Sequence, residues 1–326
     1  MIISKTPIRL TLFGGGTDYP VFFEKYGGET LSFAINKYSY VIVKRNNLHN
    51  DYKYFLSYKN IEKVNRISEI DHPSIRETLK FMKINDGLEI HYTGDIPAKT
   101  GLGSSSSFTV GLLKSLYGYL NKKKNNKQIA KEAIYIEQKM IRENVGCQDQ
   151  ISTALGGLLN IKYFKNDFLI NRLKLENYNK RKFEKSIILF FTGIERFASK
   201  SLKTQLKNTA EGKNIDHLLK IKDQVQEAKK IFSKNINIKD LGKLLNENWK
   251  IKRELSKTVT NKKINEIYDE AINTGVYGGK LVGAGAGGFL MFVCNQKVKD
   301  KIKKKLYKLK SLEIKVDTVG SSLILK

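Results

Sequence analysis

Along residues 4–13, SKTPIRLTLF, apolar and polar side chains alternate, with Ile8, Leu10 and Leu12 on one face and Arg9 and Thr11 on the other. A period of two predicts a half-buried strand. GGGTDYP at 14–20 follows as a turn. Strands are expected over TLSFAINKYSYVIVKR (30–45) and LEIHYTGDI (88–96), both rich in β-branched and aromatic residues. The period then changes. After the serines at 104–107, Phe108, Leu112, Leu113, Leu116 and Leu120 recur at helical spacing. Ile129, Ala133, Ile136 and Met140 do the same in a second helix expected over 127–144, with Gly146 as its end.

Beyond GGLLNIKYF (156–164) and the strand SIILFFTG (186–193), the pattern is helical from about 200 to 274. KLVGAG (280–285) and GFLMFVC (288–294) read as two strands around a glycine turn. Val298, Ile302, Leu306 and Leu309 share one face of an amphipathic helix, and LEIKVDTV (312–319) closes the chain as an alternating strand. There is no internal repeat and no long linker. This order predicts an α+β protein of two lobes, the first richer in strand. A length of 326 residues agrees with two domains, and the expected division is 1–185 and 186–326.

Composition narrows the class. At 40% hydrophobic and 10% aromatic residues, the chain can build sizeable cores. The apolar run SIILFFTGI (186–194) is shorter than the ~18 residues a bilayer span needs. MIISKTPIRL lacks signal-peptide anatomy. The expectation is a soluble cytosolic protein with no membrane partner. Cys147 and Cys294 lie far apart and form no CxxC pattern, which points to two reduced, buried thiols. His49, His72, His91 and His217 are scattered, so neither a histidine metal site nor a Ser-His-Asp triad is suggested. The net charge of +27 could signal nucleic acid. The lysines are dispersed and mixed with asparagine, as in NKKKNNK (121–127), and no aromatic-plus-basic motif accompanies them. They read as solvated faces, with no nucleic-acid partner and a general attraction for anionic substrates.

Three glycine-rich segments carry the candidate chemistry. PAKTGLGSSSS (97–107) opens directly into a helix, and a glycine turn at a helix N-terminus presents free N–H groups and a positive dipole end to an anion. The GGGTDYP turn holds Asp18, either a turn-forming side chain or a carboxylate for substrate hydroxyls. GAGAGG (283–288) formally matches GxGxxG, but a strand follows it instead of a helix, which excludes a dinucleotide fold. It is either a tight hairpin or a loop pressed against a phosphate. Arg9 is either an edge charge or a cation facing a reaction centre. Glu137 borders an apolar helical stripe and Asp149 lies in VGCQDQIS. Each alone reads as a surface acid; after a phosphate loop, the two read as a magnesium ligand and a catalytic carboxylate.

PIRLTLFGGGTDYP, PAKTGLGSSSS and KLVGAGAGGFL, in this order, together with GCQDQ, resemble the motifs of the GHMP kinases. The resemblance covers nearly the whole chain. It implies a two-lobed fold, with a ribosomal-protein-S5-like ATP-binding lobe over 1–185 and a ferredoxin-like lobe over 186–326. It also implies ATP and Mg²⁺ as cofactors. The Gly-Gly-Gly-Thr-Asp-Tyr at 14–19 departs from the galactokinase form, since Gly15 and Gly16 replace the Glu and His that grip galactose. It resembles the branch that phosphorylates the anomeric hydroxyl of heptose 7-phosphate, related to the kinase part of fucokinases. That branch makes the 1,7-bisphosphate for GDP-heptose of capsule, lipopolysaccharide and other surface glycans. The alternatives are a free-sugar kinase of the fucokinase kind and a non-catalytic binding protein of the same fold.

Roles implied by the resemblance follow position by position. Gly101, Leu102, Gly103, Ser104, Ser105 and Ser106 would cradle the ATP phosphates. Glu137 and Ser105, or a neighbouring serine, would hold Mg²⁺. Asp149 would orient or deprotonate the sugar hydroxyl, and Arg9 would stabilise the developing charge. Gly15, Gly16, Thr17 and Asp18 would meet the sugar, with Gly285, Ala286 and Gly287 lining its pocket. Arg196, with Lys200 nearby, is the candidate receptor for the sugar phosphate, because an arginine fork suits phosphate. The partners expected are ATP and a phosphosugar, and a homodimer is left open.

Overall fold

The computed structural model describes all residues except 47–50, 98–99, 166, 195–197, 233–234 and 326, and the side chains of 198–201. In chain order, the first half contains β1 (Ile2–Phe13), α1 (Pro20–Tyr26), β2 (Gly28–Arg45), β3 (Tyr54–Ser57), β4 (Ile61–Val64) and α2 (Pro73–Met82). Then come β5 (Leu88–Gly94), α3 (Ser104–Tyr119), α4 (Asn126–Tyr135), α5 (Gln148–Leu155), β6 (Leu158–Tyr163), β7 (Phe168–Leu173) and α6 (Asn177–Ser186). The second half runs through β8 (Ile187–Phe191), α7 (Ala198–Ala210), α8 (Ile215–Phe232), α9 (Ile238–Glu254) and α10 (Lys262–Asn273). It ends with β9 (Gly278–Leu281), β10 (Phe289–Val293), α11 (Gln296–Lys305), β11 (Ser311–Leu312) and β12 (Ser322–Leu325).

Two sheets result. The larger has the order β12-β1-β2-β5-β3-β4, with β6 and β7 joined to the first half of β2. β2 thus pairs with β6 through residues 28–33 and with β5 through residues 39–45, while β1 runs along its other edge. The smaller sheet is antiparallel with the order β11-β8-β10-β9. Its chain order, strand–helices–two strands–helix–strand, is the ferredoxin-like arrangement. The α+β organisation expected from the sequence is the one that forms.

The period-two pattern of β1 has a physical outcome on each face. Ile8, Leu10 and Leu12 enter one core with Leu189 of β8, Met291 of β10 and Val225, Leu241 and Leu245 of α8 and α9. Arg9 and Thr11 face the opposite way and line a cavity. The central helix α3 is buried on nearly every side. It lies close to the large sheet because its contact residues are small: Ser4 Oγ donates to the Gly111 carbonyl and Ser107 Oγ to the Thr6 carbonyl. A larger residue at 111 or 118 would separate helix from sheet.

Two expected elements differ. The helix expected over 127–144 is regular only to Tyr135; Ile136–Met140 form a π turn, closed by the Ile141 N–H on the Ile136 carbonyl. Arg142 then adopts φ 63°, which stops the helix well before Gly146. The expected strand 312–319 keeps its alternating burial at Ile314 and Val316 but is not one strand. It crosses between the sheets: Ser311 and Leu312 pair with β8, Val316 bridges to Ile35 of β2, and β12 then pairs with β1. The chain's last strand therefore belongs to the larger sheet. No helix of the described residues is long and apolar enough to cross a membrane, and both cysteines are buried and unpaired.

Candidate active site

A cavity of about 430 Å³ opens between the two sheets, within the size range of small-ligand sites. Its wall takes Arg9 and Thr11 from β1, Gly15 and Gly16 from the following turn, Gly101–Ser105 in part, and Gly146, Gln148 and Asp149 at the start of α5. The other side is closed by Lys280 of β9, Gly283 and Ala284 of the loop that follows it, and Lys252 of α9. Its far end is aromatic, with Tyr58, His72, Tyr92 and Phe108. The three glycine-rich segments thus meet at one cleft.

Arg9 and Asp149, 140 residues apart, form the centre. Nε donates to Oδ1 at 2.7 Å and an Nη to Oδ2 at 2.6 Å, a bidentate clamp. The other Nη donates to the Gly101 carbonyl at 2.8 Å, and the Arg9 N–H donates to the Leu102 carbonyl. One arginine therefore fixes both the carboxylate and the glycine loop. Gly101 and Gly103 have φ of 85° and 76°, a conformation open to glycine. No side chain caps the N-terminus of α3, so its first N–H groups remain available to an anion.

Glu137 lies behind this turn on the π segment, almost fully buried. Its Oε2 accepts from Ser106 Oγ at 2.9 Å and Gln150 Nε2 at 2.6 Å. Its Oε1 is buried with no hydrogen bond of ordinary geometry, although the Thr109 hydroxyl stands close enough to the carboxyl to favour its ionised form. Burial raises the carboxyl to about 7, against smaller opposing contributions from Thr109, Gln150 and Ser106. A hard cation would satisfy the orphaned oxygen and favour the ionised form, so these residues fit Mg²⁺. The serine bonded to Glu137 is Ser106; Ser105 stands on the cavity side, exposed. No group of three or more acidic, histidine or cysteine side chains gathers anywhere among the described residues, this site included, so Glu137 would be the one carboxylate offered to a metal here.

Asp18 and Thr17 are turned to the protein. The Thr17 hydroxyl shares its one proton between the carbonyls of Gly14 and Glu29 and accepts from the Glu29 N–H, fastening the turn to β2. Asp18 accepts from the Gly16 N–H at 3.1 Å and the Gln148 N–H at 3.4 Å, bracing the start of α5. Burial, then the charge of Asp149, raises it to about 6. Gly15 and Gly16 line the cavity; Thr17 and Asp18 do not. In the last glycine segment Gly283 and Ala284 line it, whereas Gly285 packs on Val259 and Gly287 on Ile194. Ala286 donates its N–H to the Val259 carbonyl. Arg196 and the side chain of Lys200 lie outside the described residues.

Gly146 has a use that its expected place as a helix end did not suggest. A Cβ there would stand 1.8 Å from Asp18 Oδ2. Gly146→Ala is expected to destabilise the protein by about 1–3 kcal/mol through overpacking. Urea unfolding measures this, and adding Asp18→Ala should recover part of the loss; strict additivity of the two substitutions would count against the contact.

Sequence reasoning missed Lys280. It sits in the fully buried strand β9, and its Nζ donates to the Leu12 carbonyl at 2.8 Å and Asn248 Oδ1 at 2.9 Å. Burial, then the positive charge of Arg9, lowers it to about 7. The signal was available: a lysine inside the otherwise apolar GGKL strand. Lys252, which donates to the carbonyls of Leu281 and Gly283, and the aromatic end of the cavity were also missed.

Comparison with known proteins adds to this geometry. The family pattern "GHMP kinases N terminal domain" matches residues 73–157, and "GHMP kinases C terminal" matches residues 222–310. The D-glycero-α-D-manno-heptose 7-phosphate kinase of Campylobacter jejuni is 30% identical over 302 residues, covering 89% of this chain and 88% of that one. The mevalonate kinase of Methanocaldococcus jannaschii is 29% identical over 321 residues, 94% and 96% of the two chains. The structure of a D-glycero-D-manno-heptose 1-phosphate kinase from Bacteroides thetaiotaomicron superposes with a TM-score of 0.82 over 100% and 99% of the chains, at 23% identity, a likeness of fold.

Proposed function

This chain belongs to the GHMP kinases, and we propose that it transfers the γ-phosphoryl group of ATP to the anomeric hydroxyl of D-glycero-D-manno-heptose 7-phosphate. The product is the 1,7-bisphosphate, a precursor of GDP-heptose for surface glycans. The observation that carries this reading is the 30% identity, over nearly the full length, to a heptose 7-phosphate kinase. The GGGTDY turn agrees with it.

The acceptor hydroxyl lies against Asp149, which orients it and takes its proton. An anomeric hydroxyl is more acidic than an ordinary alcohol, so the carboxylate has less to do. Arg9 holds Asp149 in place and brings the glycine loop to it. The N–H groups of Gly103–Ser106 hold the ATP phosphates. Mg²⁺, when bound by Glu137 and a serine of 104–106, offsets phosphate charge. Phosphoryl transfer needs mainly such positioning and electrostatic stabilisation. Gly15 and Gly16 leave room for the sugar, and Arg196 is the proposed partner of its phosphate.

The test is ATP consumption with Mg²⁺ against heptose 7-phosphate, free heptose, fucose, galactose and mevalonate, with products read by phosphorus NMR. An anomeric phosphate formed from heptose 7-phosphate alone is expected. Turnover of another acceptor in its place would replace the substrate and retain the kinase chemistry.

A further inference from the structure

The cavity wall contains a lysine whose charged form the protein does not pair; burial lowers it to about 7, and a bound phosphate would hold it protonated. Lys280 is 2% exposed, and its two acceptors, a backbone carbonyl and the Asn248 amide, are both neutral. No carboxylate of the described residues lies within 4.0 Å of it. An ammonium has three N–H donors, and two are used here. Burying a cation without a partner is costly, and this one lines the reaction cleft.

Arg9 is the contrast. Its charge is matched by Asp149, and three of its nitrogens already donate within the protein. The Arg9–Asp149 pair is close to neutral as seen by a substrate. Lys280 stands near enough to Arg9 to feel its charge. It is held from two sides, by β1 at Leu12 and by α9 at Asn248, whose amide in turn donates to Gln224 Oε1 at 2.8 Å. A cation fixed in this way can stabilise charge without reorganising.

We propose that Lys280 is a catalytic residue whose remaining N–H contacts a non-bridging oxygen of the phosphoryl group during transfer. The inference rests on the phosphoryl transfer proposed above, but not on which acceptor is used. In the step, the acceptor oxygen forms a bond to the γ-phosphorus. The bond from that phosphorus to the β,γ-bridging oxygen breaks, its electron pair leaving with ADP. The acceptor proton passes to Asp149. Lys280 exchanges no proton and offsets the charge on the moving group.

Two variants test this. Lys280→Met removes the charge, and Asn248→Asp keeps the lysine but pairs it within the wall. Lys280→Met is expected to lower kcat by roughly 100-fold or more, with KM for ATP and acceptor within about threefold. Asn248→Asp should lower kcat in the same direction by a smaller factor. Calorimetry of MgADP with and without aluminium fluoride, a mimic of the transferring phosphoryl group, gives a readout that needs no acceptor. Wild type should bind the fluoroaluminate complex more tightly than MgADP; Lys280→Met should lose that gain and keep MgADP binding. Retention of the gain in Lys280→Met would overturn the proposal. So would an unchanged kcat with a raised KM confined to the phosphorylated acceptor, which would assign Lys280 to the acceptor's own phosphate. If wild type turns over none of the acceptors, the substrate reading fails, while the fluoroaluminate comparison still decides the role of Lys280.

Discussion

Asp149→Asn is expected to lower kcat by about 10³- to 10⁴-fold. Both carboxylate oxygens of Asp149 accept from Arg9, at 2.7 and 2.6 Å. An amide would offer Arg9 one oxygen and one N–H₂ group, so one bond of the clamp becomes a donor–donor repulsion. The ion pair and the proton acceptor are lost together. Arg9 would keep its bond to the Gly101 carbonyl, so the glycine loop retains its anchor and KM for ATP should change only a few-fold. The stability cost is real, because the Arg9 side chain is 6% exposed and a buried charge loses its partner; a loss of about 3–5 kcal/mol is the scale for such a break. Steady-state kinetics and urea unfolding on the same preparation separate the two effects. Arg9→Lys keeps a charge but not the fork, and should cost about 10²-fold by the same argument. Because the two residues act as a unit, the double variant should be little worse than Asp149→Asn alone. Multiplying losses, or Asp149→Asn turning over as well as wild type, would remove the pair from the mechanism.

The reach of the sequence can be judged from these same residues. The alternation in β1 was enough to separate Arg9 from Ile8, Leu10 and Leu12, because a strand offers only two faces. The glycine turn before α3 was legible because free N–H groups and a dipole follow from a helix start wherever it lies. Which carboxylate meets Arg9 is not a local property: the pairing depends on β1 and α5 being brought together across 140 residues. Local reasoning also failed where backbone departs from regular period. The π turn at 136–140 directly follows the regular helix and carries Glu137, whose carboxylate meets Ser106 and Gln150, and the positive φ of Arg142 then ends the helix and leaves Gly146 to the loop. Thr17 and Asp18 carried the right chemistry for sugar hydroxyls, but their hydrogen bonds are taken by backbone groups, which composition does not reveal. Lys280 was overlooked for the opposite reason. In a chain with 59 basic residues, one more lysine attracts no notice until its burial is seen.

Magnesium should bind this protein with an affinity that falls about tenfold for each pH unit below about 7, and Glu137→Gln should abolish that dependence. The sign follows from burial. The folded protein holds the Glu137 carboxyl at about 7, above its ordinary 4.5, so the folded state binds a proton more readily than the unfolded one between those values. Stability from this group is therefore complete below 4.5 and is lost as pH rises through about 7. At pH 8, without metal, the ionised carboxylate should cost the fold on the order of 3 kcal/mol. A cation at the unpartnered Oε1 would relieve that cost. Glu137→Gln keeps the shape and an oxygen acceptor for Ser106 and Gln150 while removing the charge. In metal-free buffer at pH 8 it should therefore melt higher than wild type, with the difference fading toward pH 4.5. Adding Mg²⁺ should raise the wild-type melting temperature at pH 8 and leave the variant unmoved. Turnover should fall by about 10²- to 10³-fold in the variant, the scale for losing one preorganised charge at a reacting centre. Thermal melts over a grid of pH and Mg²⁺ concentration contain the decision. An equal magnesium response in both proteins would move the metal away from Glu137, leaving the orphaned oxygen as a strained feature of the π turn.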